Sequence, residues 1–296
     1  MIKTQNNKVT VKHKTATILS NVFKYGFLIL MAAAILVPLY IVLITSFMSE
    51  SEAMSPEFKI WPEEFSLEGY REVFNYKSGF DDKIPTVIRG FLNTMILVIP
   101  VSLVGTFVAA LSAFSFAKIN FKGKNLLFTI LLGTMMIPGT ISMIPAYVLF
   151  DKIGWTDSFL PLIVPGLLGG AGTVFFLRQF YYTIPTELME AARIDGLSNF
   201  GIFLRIMFPL SMPAVISQFV IMFVGVYNDY LGPLLYIYSP EKYTLQIALK
   251  FFQGTYYANY SVVMAGAVVS LLPTIILYLF GQKYFVEGIA TTGMKL

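Results

Sequence analysis

Cysteine is absent from the 296 residues, which excludes disulfides and thiolate metal sites. The single histidine, His13, lies in a polar stretch, so neither a histidine-based triad nor a histidine-rich metal cage can be assembled. Charge is also scarce. Charged residues make up 13% of the chain and hydrophobic ones 56%, whereas a soluble domain carries about a quarter charged residues. An ordinary soluble domain is therefore excluded, leaving an all-α, polytopic membrane protein. No G-x-x-x-x-G-K-[ST] run is present to cradle a nucleotide phosphate. Nor is there a catalytic constellation, a basic aromatic surface for nucleic acid, a low-complexity tract or a visible inverted repeat.

What is present is six apolar runs. Residues 1–24 carry Lys3, Lys8, Lys12, Lys14 and Lys24 without an acid, and read as a cytoplasmic tail. The run 25–47 is too long for a signal-peptide core and is expected to be an uncleaved first span, with Pro38 as a kink site. An acidic, polar segment 48–88 follows, expected to be external with at most a short helix near 67–74. The other spans are expected at 89–116, 125–147, 159–180, 212–235 and 261–282, the third made irregular by Ile137-Pro138-Gly139 and Ile144-Pro145. Residues 151–158 read as a short polar loop, 236–260 as external, and 283–296 as a tail.

Six spans place both termini on one side, and charge decides which. The proposed inner segments hold thirteen basic residues against four acids, the outer ones eight against twelve. By the positive-inside rule the termini, and the segment joining the fourth and fifth spans, are cytoplasmic.

That segment is the most distinctive in the chain. Pro185 suits a first helical turn, while Glu187 and Glu190 lie towards the positive end of a helix dipole. Gly196 stands where a helix stops, Ser198 can cap a second short helix running to about Met207, and Pro209 limits its extension. The expected product is a surface helix-turn-helix. Leu188, Ala191 and Ala192 are expected on one face, the two alanines letting another protein's backbone approach closely.

Glu190-Ala191-Ala192, three residues, Gly196, nine residues, Ile206, then Pro209 resembles the EAA loop of ABC importer membrane subunits. Phe176-Leu177-Arg178-Gln179-Phe180 with Ile184-Pro185 resembles the carbohydrate-importing branch. So does Tyr227-Asn228-Asp229-Tyr230-Leu231-Gly232-Pro233-Leu234, in which Tyr227 and Gly232 replace tryptophans of the family pattern. The ending from Gly288 to Lys295 resembles the closing motif of the same branch.

The resemblance implies a type I importer permease fold, with a six-helix domain over 25–282 and a coupling loop at about 183–209. It implies that Glu187, Glu190, Ala191, Ala192, Asp195, Gly196, Ile206 and Pro209 couple the chain to a cytoplasmic ATPase. It implies as partners a second, homologous permease, two ATPase subunits holding ATP and magnesium, and an extracellular solute-binding protein in a bacterial cell membrane. This chain would then be non-catalytic and carry no cofactor of its own. Asp229 is the one acid within an expected span. With Asn228, Tyr227 and Asn93 it is a candidate for the translocation path or gate, the other reading being a buried hydrogen-bonded pair. Two further functions stay open: an ABC permease for a non-sugar solute, and an ion-coupled secondary transporter.

Overall fold

The computed structural model describes residues 3–57, 59–77, 83–255 and 259–293, without the side chains of 3–19, 251–253 and 284–293. Among these residues every regular element is helical. In chain order they are α1 Lys3–Thr45, α2 Glu50–Ala53, α3 Glu68–Asn75, α4 Thr86–Lys118, α5 Lys124–Thr134, α6 Gly139–Lys152, α7 Leu160–Leu167 and α8 Ala171–Thr183. There follow α9 Glu187–Ile194, α10 Asn199–Ile202, a π-turn Phe203–Met207, α11 Phe208–Leu210, α12 Met212–Tyr227, α13 Leu231–Tyr236, a 3-10 turn Pro240–Lys242, α14 Leu245–Thr255 and α15 Tyr260–Gly293.

Four stretches are long and apolar enough to cross a membrane: Ser20–Thr45, Thr86–Lys118, Leu160–Thr183 and Tyr260–Lys283. Two bent pairs raise the number to six if each is one span. They are Lys124–Thr134 with Gly139–Lys152, bent by 96°, and Asn199–Leu210 with Met212–Tyr227, bent by 81°. The first bend falls at the expected Ile137-Pro138 irregularity, because the proline cannot donate to the preceding turn. The second falls at Ser211, where the fifth span was expected to begin, but that span is interrupted before 235. Helix α12 is only 16 residues, about 24 Å, and the chain breaks at 228–230 before resuming as α13.

Three segments carry more helix than the sequence indicated. The N-terminal stretch is helical from Lys3, since residues 3–24 contain neither proline nor glycine to stop α1. The region 236–260 contains α14, whose apolar side lies against α4: Leu245, Ile247 and Ala248 are buried. Helix α15 runs eleven residues past 282, and Met294–Leu296 lie outside the described residues.

The chain divides into two compact units, Met1–Glu72 with Tyr256–Val268, and Val73–Thr255 with Val269–Leu296. In the first, the Ser46 hydroxyl bonds the Tyr70 hydroxyl at 2.8 Å, and Gly69 lies against the Ser261 carbonyl. The second is centred on α4. Its small residues let other helices approach closely, as is common in membrane bundles. A Cβ on Gly105 would lie 2.5 Å from the Gly166 carbonyl oxygen of α7, and one on Gly169 (φ +78°) 2.8 Å from the Gly105 oxygen. Further along α4, Ala109, Ala110, Ala113, Phe114 and Ala117 form one apolar cluster with α8, α9, the π-turn and α12.

Candidate functional site

Helix α9 starts at Glu187, two residues later than Pro185. Its first-turn Glu187 and Glu190 face the helix's unpaired amides, where negative charge is favoured. The end is a Schellman cap: the Gly196 N–H donates to the Arg193 carbonyl and the Leu197 N–H to the Ala192 carbonyl, each at 3.0 Å. Gly196 has φ +82° and open space around it, so backbone conformation alone demands glycine there. Ser198 then accepts the Gly201 N–H at 3.2 Å and caps α10, as expected.

The two alanines do not share a surface. Ala192 is 4% exposed and Met189 1%, and both enter the apolar cluster built on α4. Glu187, Leu188, Glu190, Ala191, Arg193, Ile194 and Asp195 face outward. Adjacent residues on a helix differ by about 100° in direction, so one alanine must turn in when the other turns out. Ala191 with Leu188 forms the exposed surface, and Ala192 belongs to the anchor.

Nor does Pro209 end the second helix. The segment passes through a π-turn in which the Phe208 N–H reaches the Phe203 carbonyl, then continues to Leu210. The register change accommodates a residue that lacks an N–H. Ile206 is half-buried against the cluster and Pro209 is exposed. Phe203 is fully buried, its ring 5.5 Å from Phe114 and from Phe208 and 5.7 Å from Phe107. Tyr181 is fully buried beside them and accepts a hydrogen bond from the Ser211 hydroxyl at 3.0 Å. A displacement of α9 therefore bears directly on α4, α8 and the start of α12, because packed interiors transmit strain.

Two basic residues complete the joint: Lys118, counted above only among the inner basic residues, and Arg178 of the Phe176–Phe180 motif. Lys118 Nζ donates to the Ile184 carbonyl at 2.6 Å and to the Thr186 hydroxyl at 3.3 Å. Arg178 Nε donates to the Phe116 carbonyl at 3.2 Å, its guanidinium 3.7 Å above the Phe128 ring. Both tie the C-terminal end of α4, where cations are favoured, to the approach to α9. For Lys118, basic character at a helix end was the only available signal; Arg178 was also marked by its motif.

The gate candidates are placed differently. The Tyr227 ring is buried, stacked on Phe223 at 6.0 Å, and its hydroxyl donates to the Ser270 carbonyl at 2.9 Å. Asp229 accepts the Gly232 N–H at 3.1 Å, so its carboxylate caps α13. Asn228 is exposed; its amide donates to the Val224 carbonyl and its oxygen accepts from Gln246 at 3.3 Å. Asn93 donates to the carbonyls of Glu241 at 2.8 Å and Tyr243 at 3.0 Å, and its neighbour Thr94 accepts the Leu245 N–H at 2.9 Å. Asn228 and Asp229 thus sit at one helix break, whereas Asn93 secures the turn before α14.

A knot not foreseen from sequence lies beside that turn. Asp157, at φ +52°, accepts the N–H groups of Tyr238 at 3.0 Å and Ser239 at 2.8 Å, together with the Ser239 hydroxyl. The Lys242 ammonium lies 2.9 Å from the same carboxylate. Burial opposes ionisation of Asp157, but these four donors outweigh it and hold its acid below the usual carboxylate range. The loop 153–159 and the segment 237–243 are thereby joined through Asp157, whose carbonyl also accepts from Lys242 and whose N–H donates to the Tyr236 carbonyl at 2.7 Å.

Residues 102–290 match the family described as binding-protein-dependent transport system inner membrane component. The arabinooligosaccharides transport system permease protein AraQ of Bacillus subtilis is 31% identical over 271 residues, covering 91% of this chain and 94% of the relative. The sn-glycerol-3-phosphate transport system permease protein UgpE of Escherichia coli is likewise 31% identical, covering 90% and 95%. A chain from the crystal structure of a bacterial ABC transporter involved in the import of the acidic polysaccharide alginate superposes with TM-score 0.78 at 22% identity, over 90% of this chain and 96% of that one. By these matches and its helices of membrane-spanning length, the chain belongs to the family of binding-protein-dependent transport system inner membrane components: it is a multi-pass permease subunit of an ABC importer.

Proposed function

We propose that this permease forms half of a carbohydrate translocation path and that α9 is the lever by which a cytoplasmic ATPase moves it. The observation that carries the proposal is the two-sided character of α9. Leu188, Ala191 and two glutamates are presented outward, while Met189 and Ala192 are fixed in the cluster shared with α4, α8 and α12. Glu187, Glu190, Asp195 and Ala191 would meet the ATPase. Gly196 and Ser198 set the lever's shape, and Ile206 and Pro209 its junction with α12. ATP and magnesium would be bound by two ATPase subunits, and solute delivered by an extracellular binding protein to a pair of related permeases. Both termini would then be cytoplasmic, in a bacterial cell membrane.

The substrate class rests on relatives: AraQ is named for arabinooligosaccharides, and a solved neighbour carries alginate. A phosphorylated polyol is the second reading, because UgpE is equally similar. Thermal stabilisation of the cognate binding protein by oligosaccharides or by sn-glycerol-3-phosphate separates the two. Coupling is tested with Gly196→Pro in reconstituted transporter. Proline cannot adopt φ +82° and removes the N–H donated to Arg193. ATP hydrolysis should persist while uptake falls at least ten-fold. Full uptake by this variant would refute the lever.

A further inference from the structure

Residues 60–67 fold back along α1 instead of projecting from its end. The Tyr40 hydroxyl donates to the Ile60 carbonyl at 2.6 Å, and the Ser66 N–H donates to the Phe47 carbonyl at 2.8 Å. The Phe65 ring lies between Phe47 at 5.9 Å and Trp61 at 5.3 Å. This leaves four large apolar side chains exposed together: Ile60 at 67%, Trp61 and Phe65 at 59%, and Leu67 at 56%. The other side of the same segment is polar. Glu52, Lys59 and Glu63 line a concavity of about 490 Å³, with Lys59 held 2.8 Å from Glu63 and 3.9 Å from Glu52.

Depth decides what covers the apolar side. The apolar stretch of α1, Ser20–Thr45, has 26 residues, which is about 39 Å of helix against a hydrocarbon layer of about 30 Å. Centred, it overhangs by about 4.5 Å at each end. Tyr40 lies five residues before the end of the stretch, about 7.5 Å back. The backbone of Tyr40 is then about 3 Å inside the hydrocarbon boundary, and the Ile60 carbonyl bonded to its side chain lies close to that boundary. A backbone carbonyl at that level needs a donor within the protein, and Tyr40 supplies it. Tryptophan and tyrosine are the side chains enriched at such a boundary, and phenylalanine, isoleucine and leucine are apolar enough to lie on its hydrocarbon side.

We infer that residues 60–67 are a membrane-seated element, with Ile60, Trp61, Phe65 and Leu67 embedded among lipids of the leaflet at the C-terminal end of α1. The contact is apolar, since residues 50–72 hold seven glutamates against Lys59 and Arg71. Anionic headgroups are not what it recognises. The surface continues the exposed flank of α1, where Leu36, Leu39 and Leu43 also face outward.

The absence of cysteine allows a direct test. Nitroxide labels are placed at Ile60→Cys, Phe65→Cys and, on the polar side, Glu63→Cys, in complete transporter reconstituted into phosphatidylcholine vesicles. Complex containing the cysteine-free chain provides the blank. Labels at 60 and 65 should collide with oxygen and be shielded from a water-soluble nickel chelate, and the label at 63 should show the reverse. Labels at 60 and 65 that meet the nickel chelate would place the segment in water and overturn the inference. Labels shielded from both reagents would mean a protein cover, and would overturn it equally. Neither result bears on coupling through α9.

Discussion

Replacing Asp157 by glycine should loosen the segment 237–243 without straining the chain, since only the side-chain bonds are lost. Glycine adopts φ +52° readily, so the loss isolates the side chain. Three neutral donors are involved, each worth about 1 kcal/mol net. The carboxylate side chain is 31% exposed, which reduces their sum to about 2 kcal/mol, and the part-exposed Lys242 pair adds about 0.5 kcal/mol. A local opening energy lower by about 2.5 kcal/mol corresponds to roughly 50-fold faster amide exchange. Hydrogen exchange read by mass spectrometry on peptides covering 237–243 should show that acceleration, with peptides from α8 and α9 unchanged. Asp157→Asn keeps an oxygen for the two backbone donors and tolerates the left-handed conformation, so it should accelerate exchange only about five-fold.

The pH dependence has a definite sign. The acid of Asp157 is held below its ordinary value by its donors. The stabilisation is therefore complete above pH about 4, the ordinary carboxylate value, and disappears only as pH falls through the lower native one. The ratio between wild type and Asp157→Gly should be constant from pH 5 to 8, on the order of 50. Equal exchange in both proteins, or loosening of the wild-type knot near neutrality, would refute the reasoning.

Two further outcomes follow from the bundle. Gly105→Leu drives a side chain into the Gly166 carbonyl and should destabilise the α4–α7 crossing by about 1–3 kcal/mol or more, seen as a lower melting temperature of detergent-purified protein; an unchanged melting temperature would contradict the crossing. Tyr227→Phe removes the bond to the Ser270 carbonyl and should cost about 1 kcal/mol, again as a lower melting temperature, with the membrane content of the protein unchanged.

The segment 183–209 was legible because its signals are local. Gly196 as a helix stop and Ser198 as a cap are set within a few residues, and the bend at Ile137-Pro138 follows from one proline. The division of labour between Ala191 and Ala192 was not, since alanine reads equally well on either face and only the position of Met189 fixes the helix rotation. The π-turn before Pro209 depends on packing of Phe203 among Phe107, Phe114 and Phe208, which no periodicity reveals. The Asp157 knot joins residues more than eighty positions apart, and its carboxylate lies in what reads as an ordinary polar loop. Asp229 looked exceptional as an acid in a span. The helix break at 228–230 turns it into a cap, a role that depends on where α12 ends.

The most direct test of the lever uses single cysteines at Leu188, Ala191 and Ala192 in this cysteine-free chain. In assembled transporter, Leu188→Cys and Ala191→Cys should cross-link to the ATPase subunit through a short thiol-reactive linker, and Ala192→Cys, buried against α4, should not. Labelling of Leu188→Cys or Ala191→Cys by a membrane-impermeant maleimide added outside intact cells, or the absence of any cross-link to the ATPase from either, would contradict the account.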